Sequence, residues 1–419
     1  MGLAQKHRPG KPVSACLWKS GAFNICYRVR YEEGPDVIVR FAALGRAILR
    51  REKVRNEVAT MRYIHRTTSI TVPEVLGSGI CWAGPYIVMS FLEGRPLSQL
   101  LKDPSVEGRP VLNPQISDQS LRWAYREMAG LILELSRHEF NAIGALEENE
   151  LGLSITERPL TFNMNELMGS ANLPEEAFPS HSFSSAIDYF QALAGQHLSH
   201  LRLQQQDAVS SEEDCRRKFT ARYLFLNITK NLSTEHPQGP FRLYCDDLRP
   251  SNILVESDPS CAICVSGVID WEFTYVAPWW LLLQSPEDWE DDLDEFLTRY
   301  SPRLSTFLEV LRDCENKLIE RHLLSEPQRL SPRMARSMET GLFWVCLAAR
   351  YSSMFDEIYW TFIDRRYHGT FTSLDDRVRL LDQEQQHEMN ELVRLKTRQC
   401  TMGKDEFEDH YPIDKLLEL

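Results

Sequence analysis

The chain contains 419 residues, of which 43% are hydrophobic and 26% are charged, and its formal net charge is −13 at pH 7. This length and composition are typical of a globular enzyme with two lobes or domains, while the acidic balance argues against general nucleic-acid binding, which requires a basic surface. No apolar run approaches the roughly 20 residues that cross a bilayer, and the N-terminus lacks the apolar stretch of a secretory signal. We therefore expect a cytoplasmic protein that contacts no membrane.

The first strands of the chain surround a glycine-containing turn. Residues 13–29 read as two strands joined through residues 19–24, and Gly21 in this turn could present backbone N–H groups to phosphates. A single glycine suits any hairpin equally well. The side chains of residues 37–41 then alternate between two faces, which predicts a third strand. Val37, Val39 and Phe41 share one face, and Ile38 and Arg40 share the other.

A helix follows that strand. Residues 50–65 have helix-forming composition, and their apolar side chains recur at helical spacing at Val54, Val58 and Met61. Glu57 falls inside this apolar face, where an unpaired carboxylate would be costly. Arg40 is the natural partner, because the helix would pack on the strand that carries it.

A buried strand, residues 86–92, ends just before Gly94. We expect it to cross from a small lobe that contains the sheet, residues 1–92, to a larger helical lobe, residues 93–419. Clefts between lobes are common ligand sites, although a plain linker would have the same pattern.

The strongest functional signal is the segment Tyr-Cys-Asp-Asp-Leu-Arg-Pro-Ser-Asn at residues 244–252, which is followed later by Asp270. Two short apolar strands and a turn lie between Asn252 and Asp270, which predicts an antiparallel hairpin. Asn252 starts the first strand and Asp270 follows the second, so both should lie at one end of the hairpin, with Asp247 on the loop that enters it. Such oxygen ligands suit Mg²⁺ that carries nucleotide phosphates. Taken alone, the same residues also mark ordinary loops.

The remaining patterns are mostly helical. Residues 95–240 are expected to be largely helical, notably at 121–138 and 184–203, and further helices are expected around 293–323, 332–362 and 375–396. Four tryptophans could line a substrate cleft, although buried packing is the commoner role: Trp279, Trp280, Trp344 and Trp360.

For two further patterns we favour a structural interpretation over a functional one. The ten cysteines are scattered, and Cys261 and Cys264 lack a second pair at zinc-site spacing, so we expect reduced thiols with a packing role. The acidic run at 287–295 is either a solvated helix start, which we favour, or a rim that attracts a cationic substrate.

Taken in order, these motifs resemble the aminoglycoside phosphotransferase and choline kinase-like family, and they look closest to its members from filamentous fungi. The resemblance covers about residues 15–290, and its most specific part is Asp247-Leu-Arg-Pro-Ser-Asn252-Ile-Leu-Val with Val268-Ile-Asp270-Trp-Glu272. It implies an α+β, bilobal, protein-kinase-like fold with a small N-terminal lobe of antiparallel sheet plus helix and a large, mostly helical C-terminal lobe. It also implies transfer of the γ-phosphoryl group of ATP or GTP to a hydroxyl of a small molecule.

The resemblance also implies roles for individual residues. Asp247 would be the catalytic base, Asn252 and Asp270 would bind Mg²⁺, and Arg40, paired with Glu57, would contact the nucleotide phosphates. The turn from Gly21 to Asn24 would cover the phosphates. The adenine pocket would be lined by the hinge strand, at Met89, Phe91 and Leu92.

The chain departs from the family pattern at two points. Arg40 stands where family members usually carry lysine, and Cys245-Asp246 stands where they usually carry His-Gly. Arginine is a planar fork that prefers bidentate partners, so the phosphate geometry could change. Asp246 adds a second candidate base, and we favour Asp247 because its spacing to Asn252 matches the family motif.

These departures keep two other functions open. A catalytically weak or inactive nucleotide- or partner-binding protein would also tolerate them. A protein kinase is the third possibility and ranks last, because Trp-Glu follows Asp270 where protein kinases usually have Phe-Gly. The acceptor and the oligomeric state are not predicted.

Overall fold

A computed structural model describes most of the chain, and the fold is given for these residues: 1–107, 111–149, 152–205, 208–232, 237–256, 263–278 and 293–401. The predicted turn at 257–260, Cys261, Trp279, Trp280 and residues 287–292 of the acidic run lie outside them.

The N-terminal part is a five-stranded antiparallel sheet. A short helix α1 (Gly2–His7) precedes β1 (Pro12–Ser20), β2 (Asn24–Tyr31), β3 (Val37–Ala42), β4 (Val75–Cys81) and β5 (Gly84–Ser90). The strand order is β1-β2-β3-β5-β4. Strand β3 is therefore central, and Arg40 pairs with Cys26 of β2 on one side and with Ile87 of β5 on the other.

Helix α2 (Arg50–Thr67) joins β3 to β4 and covers one face of this sheet. Its predicted apolar stripe is buried, with Val54 and Val58 each 7% exposed and Met61 2% exposed. Glu57 lies within this buried face, as the helical spacing predicted. The main apolar core continues from here into the rest of the molecule without a break.

The next part of the chain mixes helices with short strands. Its elements are β6 (Arg95–Pro96), α3 (Ser98–Leu101), α4 (Asp118–Ser136), β7 (Ala145–Asn149), β8 (Gly152–Glu157), α5 (Phe162–Ser170), α6 (Ala186–Leu203) and α7 (Glu212–Lys230). Helices α4, α5, α6 and α7 each begin at an N-cap residue whose hydroxyl accepts a hydrogen bond from a backbone N–H of the first turn. These N-cap residues are Ser117, Thr161, Ser185 and Ser211. The β7–β8 hairpin differs from the expected helical pattern, since it packs against α2 through contacts that local periodicity does not encode.

Four short strands then frame two loops. They are β9 (Arg242–Cys245), β10 (Ile253–Glu256), β11 (Cys264–Val268) and β12 (Thr274–Ala277). Strand β10 pairs antiparallel with β11 and with β6, and β12 pairs antiparallel with β9. These pairings bring the loop after β9 and the loop after β11 side by side, as the predicted hairpin requires.

The C-terminal part is helical. It contains α8 (Leu293–Glu320), α9 (Ser331–Thr340), α10 (Leu342–Arg350), α11 (Phe355–Ile358), α12 (Asp364–His368), α13 (Leu374–Val378) and α14 (Gln383–Thr401), with a π-helical segment at Tyr359–Ile363. The helix expected over 332–362 is thus broken into several pieces. One break falls at Gly341, whose φ of 82° is left-handed.

The expected fold class is confirmed: an antiparallel sheet with one helix is followed by a larger, mostly helical part. Trp344 is 5% exposed and stacks on Phe362 at 3.7 Å between ring centroids, so it has the packing role that we favoured. Trp360 is half-buried under the Arg217 guanidinium. Among the described residues, no helix has the length and apolar character needed to cross a bilayer, and eight of their cysteines form no disulfide.

Candidate functional site

The hairpin of β10 and β11 holds Asn252 and the segment that leads to Asp270 together. The Ile269 N–H donates to the Asn252 carbonyl at 2.9 Å, directly beyond the last strand pair, Ile253 with Val268. Asp270 itself has a φ of 67°, in the left-handed region that non-glycine residues rarely adopt. A strained carboxylate at the end of a strand is a frequent feature of functional sites.

Asp247 lies on the loop between β9 and β10, and its carboxylate is oriented by two neighbours. The Asn252 amide nitrogen donates to Asp247 Oδ2 at 2.7 Å and to the Asp247 carbonyl at 2.9 Å. On the other side, Arg249 Nε lies 2.6 Å from Asp247 Oδ1. Asn252 thus fixes the loop and the carboxylate at once.

Asp246 has a separate environment. Its Oδ1 lies 2.8 Å from Arg350 Nη2 of α10, and both side chains are 6% exposed. Its Oδ2 accepts from the backbone N–H of Phe162 at the start of α5. The guanidinium of Arg350 also lies 4.7 Å from the centre of the Tyr244 ring. Asp246 therefore braces the loop against two helices.

Three carboxylates converge at the end of the hairpin. Asp247, Asp270 and Glu272 each place an oxygen within 4.8 Å of the others. Burial raises the pKa of Asp247 to about 7; Arg249 opposes this rise, while Asp270 and Glu272 add to it. Burial and the neighbouring Glu272 likewise raise the pKa of Asp270, against the attraction of Arg40. Mutual repulsion of this kind favours a bound cation.

Two buried cations compensate part of this charge. Arg40 contacts both Glu57 and Asp270, the latter at 2.9 Å from Nη1, and its side chain is 7% exposed. Glu57 is the partner predicted from the helical pattern. Burial lowers the pKa of Arg40, but Glu57 and Asp270 outweigh it and keep the guanidinium protonated.

The second cation, Lys53, was not predicted. Its ammonium forms an ion pair with Glu272 and donates to Asn24 Oδ1 at 2.8 Å, while the Asn24 amide donates to Glu272 Oε2 at 2.9 Å. Burial opposes ionisation of Glu272, yet Lys53 and Arg40 hold its pKa below the usual value. Helical spacing could have indicated this position. At 100° per residue, Lys53 lies about 20° around the helix axis from the buried Ile64, and therefore on the buried face of α2.

The turn between β1 and β2 reaches this site through two side chains. Asn24 is 7% exposed and faces Lys53 and Glu272 rather than solvent. Phe23 packs edge-to-face on Phe162 and on Phe273, at 5.5 and 5.4 Å between ring centroids. Gly21 lies at the start of the turn and donates its N–H to the Asn24 carbonyl at 2.9 Å.

The predicted hinge residues divide into two groups. Met89 is 6% exposed and packs in the main core. Phe91 and Leu92 are half-buried. The ring of Phe91 meets Trp18 of β1 edge-to-face at 5.3 Å and lies under the guanidinium of Arg28 at 3.8 Å. Trp18, 52% exposed, is a further aromatic side chain beside the hinge, and no sequence motif indicated it.

The chain belongs to the phosphotransferase enzyme family, because the model of that family matches residues 18–301, more than half of the sequence. This membership agrees with the kinase-like fold, in which a sheet-containing part and a helical part meet at paired loops.

Individual relatives are distant. The altered inheritance of mitochondria protein 9, mitochondrial, of Debaryomyces hansenii is 24% identical over 301 residues, and the match covers 62% of this chain and 46% of that protein. The chain thus spans less than half the length of this curated relative.

Two solved structures show a similar course of the chain. The GDP complex of an aminoglycoside 2'-phosphotransferase mutant has 11% identity and a TM-score of 0.42 over 94% of both chains. A macrolide 2'-phosphotransferase from Brachybacterium faecium has 12% identity and a TM-score of 0.42 over 89% of this chain and 97% of its own.

Proposed function

We propose that this protein is a magnesium-dependent small-molecule kinase that moves the γ-phosphoryl group of ATP or GTP to a hydroxyl group. The observation that carries the proposal is the convergence of Asp247, Asp270 and Glu272 within 4.8 Å, with Asn252 bonded to the first of them. Family membership supports the same class of reaction. Phosphoryl transfer depends mainly on position and charge, and this site supplies both.

Asp247 is the proposed base. Asn252 and Arg249 hold its carboxylate in one orientation, and its raised pKa of about 7 suits a group that must accept a proton near neutral pH. Asp246 is not a competing base in this scheme, because it forms a buried ion pair with Arg350 and its side chain is only 6% exposed, against 19% for Asp247.

Asn252 and Asp270 are the proposed magnesium ligands. The amide nitrogen of Asn252 is directed at Asp247, which leaves its carbonyl oxygen as the atom that suits a hard cation. When bound, Mg²⁺ would neutralise charge on the transferring phosphate. The proposed contribution of Arg40 is a fixed positive charge beside Asp270, held in place by Glu57.

The nucleotide is proposed to lie between the sheet and the hairpin. The turn from Gly21 to Asn24 would cover the phosphates, and Phe91 and Leu92 would border the base. Such a site supports a division into a nucleotide-binding part, residues 1–92, and a helical part, residues 93–419, that carries the catalytic loop and the acceptor site.

A second candidate, a nucleotide- or partner-binding protein with little or no turnover, is favoured by one observation. Asp270 and Glu272 already have internal counter-ions in Arg40 and Lys53. Because these internal cations already compensate the negative charge, a bound metal ion would stabilise the site less.

The test is a screen for phosphate transfer from ATP and from GTP to hydroxyl-bearing metabolites and antibiotics, with Asp270→Ala as the inactive control. A parallel thermal titration with each nucleotide, with and without Mg²⁺, separates the two candidates, because a ligand bound only by the folded state raises its stability. Metal-dependent stabilisation with turnover supports the kinase. Nucleotide stabilisation without turnover or hydrolysis supports the binding protein.

The proposed location is the cytoplasm. The relative from Debaryomyces hansenii is named as mitochondrial, so a fluorescent fusion of the full chain, followed by cell fractionation, decides between the two compartments. Recovery of the fusion in mitochondria would contradict the proposal.

A further inference from the structure

Lys53 occupies an unusual position for a lysine. It lies on α2, one turn before Glu57, and is 2% exposed. Lysine is seldom buried, and replacing a buried ion pair by apolar side chains is often neutral or stabilising. Stability alone therefore does not explain why a lysine is buried at this position.

The ammonium of Lys53 lies where the turn and the carboxylates meet. Its two described polar partners are Glu272, one of the three converging carboxylates, and Asn24, which ends the turn that is proposed to cover the phosphates. An ammonium group has three N–H donors. Two are directed at these partners, which leaves one for a phosphate oxygen.

The neighbouring cation is engaged differently. Arg40 lies on strand β3, and its guanidinium is shared between Glu57 and Asp270. A planar guanidinium held on two sides cannot turn toward a ligand without breaking one of these pairs, whereas lysine is a compact charge on a flexible stem.

We propose that Lys53 is the cation that contacts the nucleotide phosphates, delivered from helix α2 instead of from strand β3. Glu272 and Asn24 hold the ammonium in place before the nucleotide arrives, and Arg40 serves mainly to position Asp270. This assignment rests on the proposed function, since it requires a bound nucleotide.

The experiment compares dissociation constants for the triphosphate and for the corresponding nucleoside, measured calorimetrically with Mg²⁺ on the full chain. Lys53→Met should weaken triphosphate binding by about 10-fold or more, the usual effect of losing a charge-assisted hydrogen bond, and leave nucleoside binding within about twofold. Arg51→Met is the matched control, because it removes an exposed cation from the same helix and should change neither constant.

A second pair of variants separates phosphate contact from neutralisation of Glu272. Lys53→Met alone strands a buried carboxylate and could unfold the chain, whereas Lys53→Met with Glu272→Gln leaves no unpaired charge. If Lys53 contacts phosphate, this double variant should bind the triphosphate about 10-fold more weakly than Glu272→Gln alone. Equal affinity of these two variants overturns the assignment of Lys53 while the proposed function stands. A wild-type chain that binds neither ATP nor GTP overturns both.

Discussion

Asp246 and Asp247 are adjacent carboxylates, and changing each one to asparagine should affect a different property of the protein. Asp246 forms a buried pair with Arg350, in which both side chains are 6% exposed. Asp247 faces Asp270 and Glu272, with its carboxylate 19% exposed. We expect the first change to lower stability and the second to lower turnover.

The stability lost in Asp246→Asn follows from the contacts that remain in the variant. The Arg350 guanidinium stays buried without its counter-charge, and breaking a buried pair costs about 3–5 kcal/mol. Asparagine keeps an oxygen for the Phe162 N–H, and Arg350 keeps the Tyr244 ring at 4.7 Å. We therefore expect the lower end, about 3 kcal/mol, or a fall in Tm of roughly 3–6 °C, since the shift per kcal/mol shrinks as chains lengthen.

Asp247→Asn should leave Tm unchanged or raise it. Burial raises the pKa of Asp247 to about 7, above its unfolded value near 4. Such a group binds more protons in the folded state between these pH values, so its ionisation lowers stability as pH rises through that window. A neutral amide removes that cost. Turnover, by contrast, should fall by roughly 10²–10⁴, as for other positioned bases.

The assay is thermal unfolding at pH 7.5 together with single-turnover phosphate transfer. Asp313→Asn, at an exposed position on α8, controls for the loss of one negative charge, and Asp246→Asn with Arg350→Met should recover most of the lost stability. The reasoning fails if Asp246→Asn keeps the wild-type Tm. It fails equally if Asp246→Asn abolishes turnover while Asp247→Asn does not.

Three further predictions concern the charges of the site and the core. Asp270→Ala should abolish turnover and the Mg²⁺-dependent thermal stabilisation by nucleotide, yet the unliganded chain should stay folded because Arg40 retains Glu57; a variant still stabilised by the metal complex would contradict the ligand assignment. Glu57→Gln should lower the free energy of unfolding in urea by about 1.5 kcal/mol, the usual effect of losing a hydrogen bond between charged groups, because Arg40 keeps Asp270 as its counter-ion. An unchanged midpoint would exclude this role. Burial lowers the pKa of His197 well below its usual range and that of His200 to about 4. The unfolded chain therefore binds more protons below about pH 6.5, and stability should fall as pH drops toward 4 by at most about 1.4 kcal/mol per pH unit for each histidine. His200→Gln should flatten that slope, and an unaltered slope would refute its cause.

The parts of the site that the sequence predicts correctly are those set by local rules. Helical spacing puts Glu57 on the buried face of α2, and the cost of an unpaired carboxylate then points to Arg40, which the structure confirms as its partner. Antiparallel pairing brings the two ends of a hairpin together whatever the rest of the chain does. Asn252 and the segment before Asp270 consequently meet as expected.

The hinge is an intermediate case. The pattern correctly predicts a strand at 86–92, and β5 ends at Ser90. It does not tell which side chain faces the core, and Met89 turns out to pack there. Which face of a strand is buried depends on the elements that cover it, and along β5 the side chains on both faces are buried.

The amino-acid order alone thus determines the family, the kinase-like succession of elements, the hairpin and the Arg40–Glu57 pair, because each of these depends on periodicity or on short spacings. Only the tertiary structure assigns Lys53 to Glu272 and Asp246 to Arg350. In both pairs the partners are far apart in the chain, and periodicity states which face of an element is buried but not what will cover it. That choice is made by the packing of the whole chain, where a buried charge must find its counter-ion.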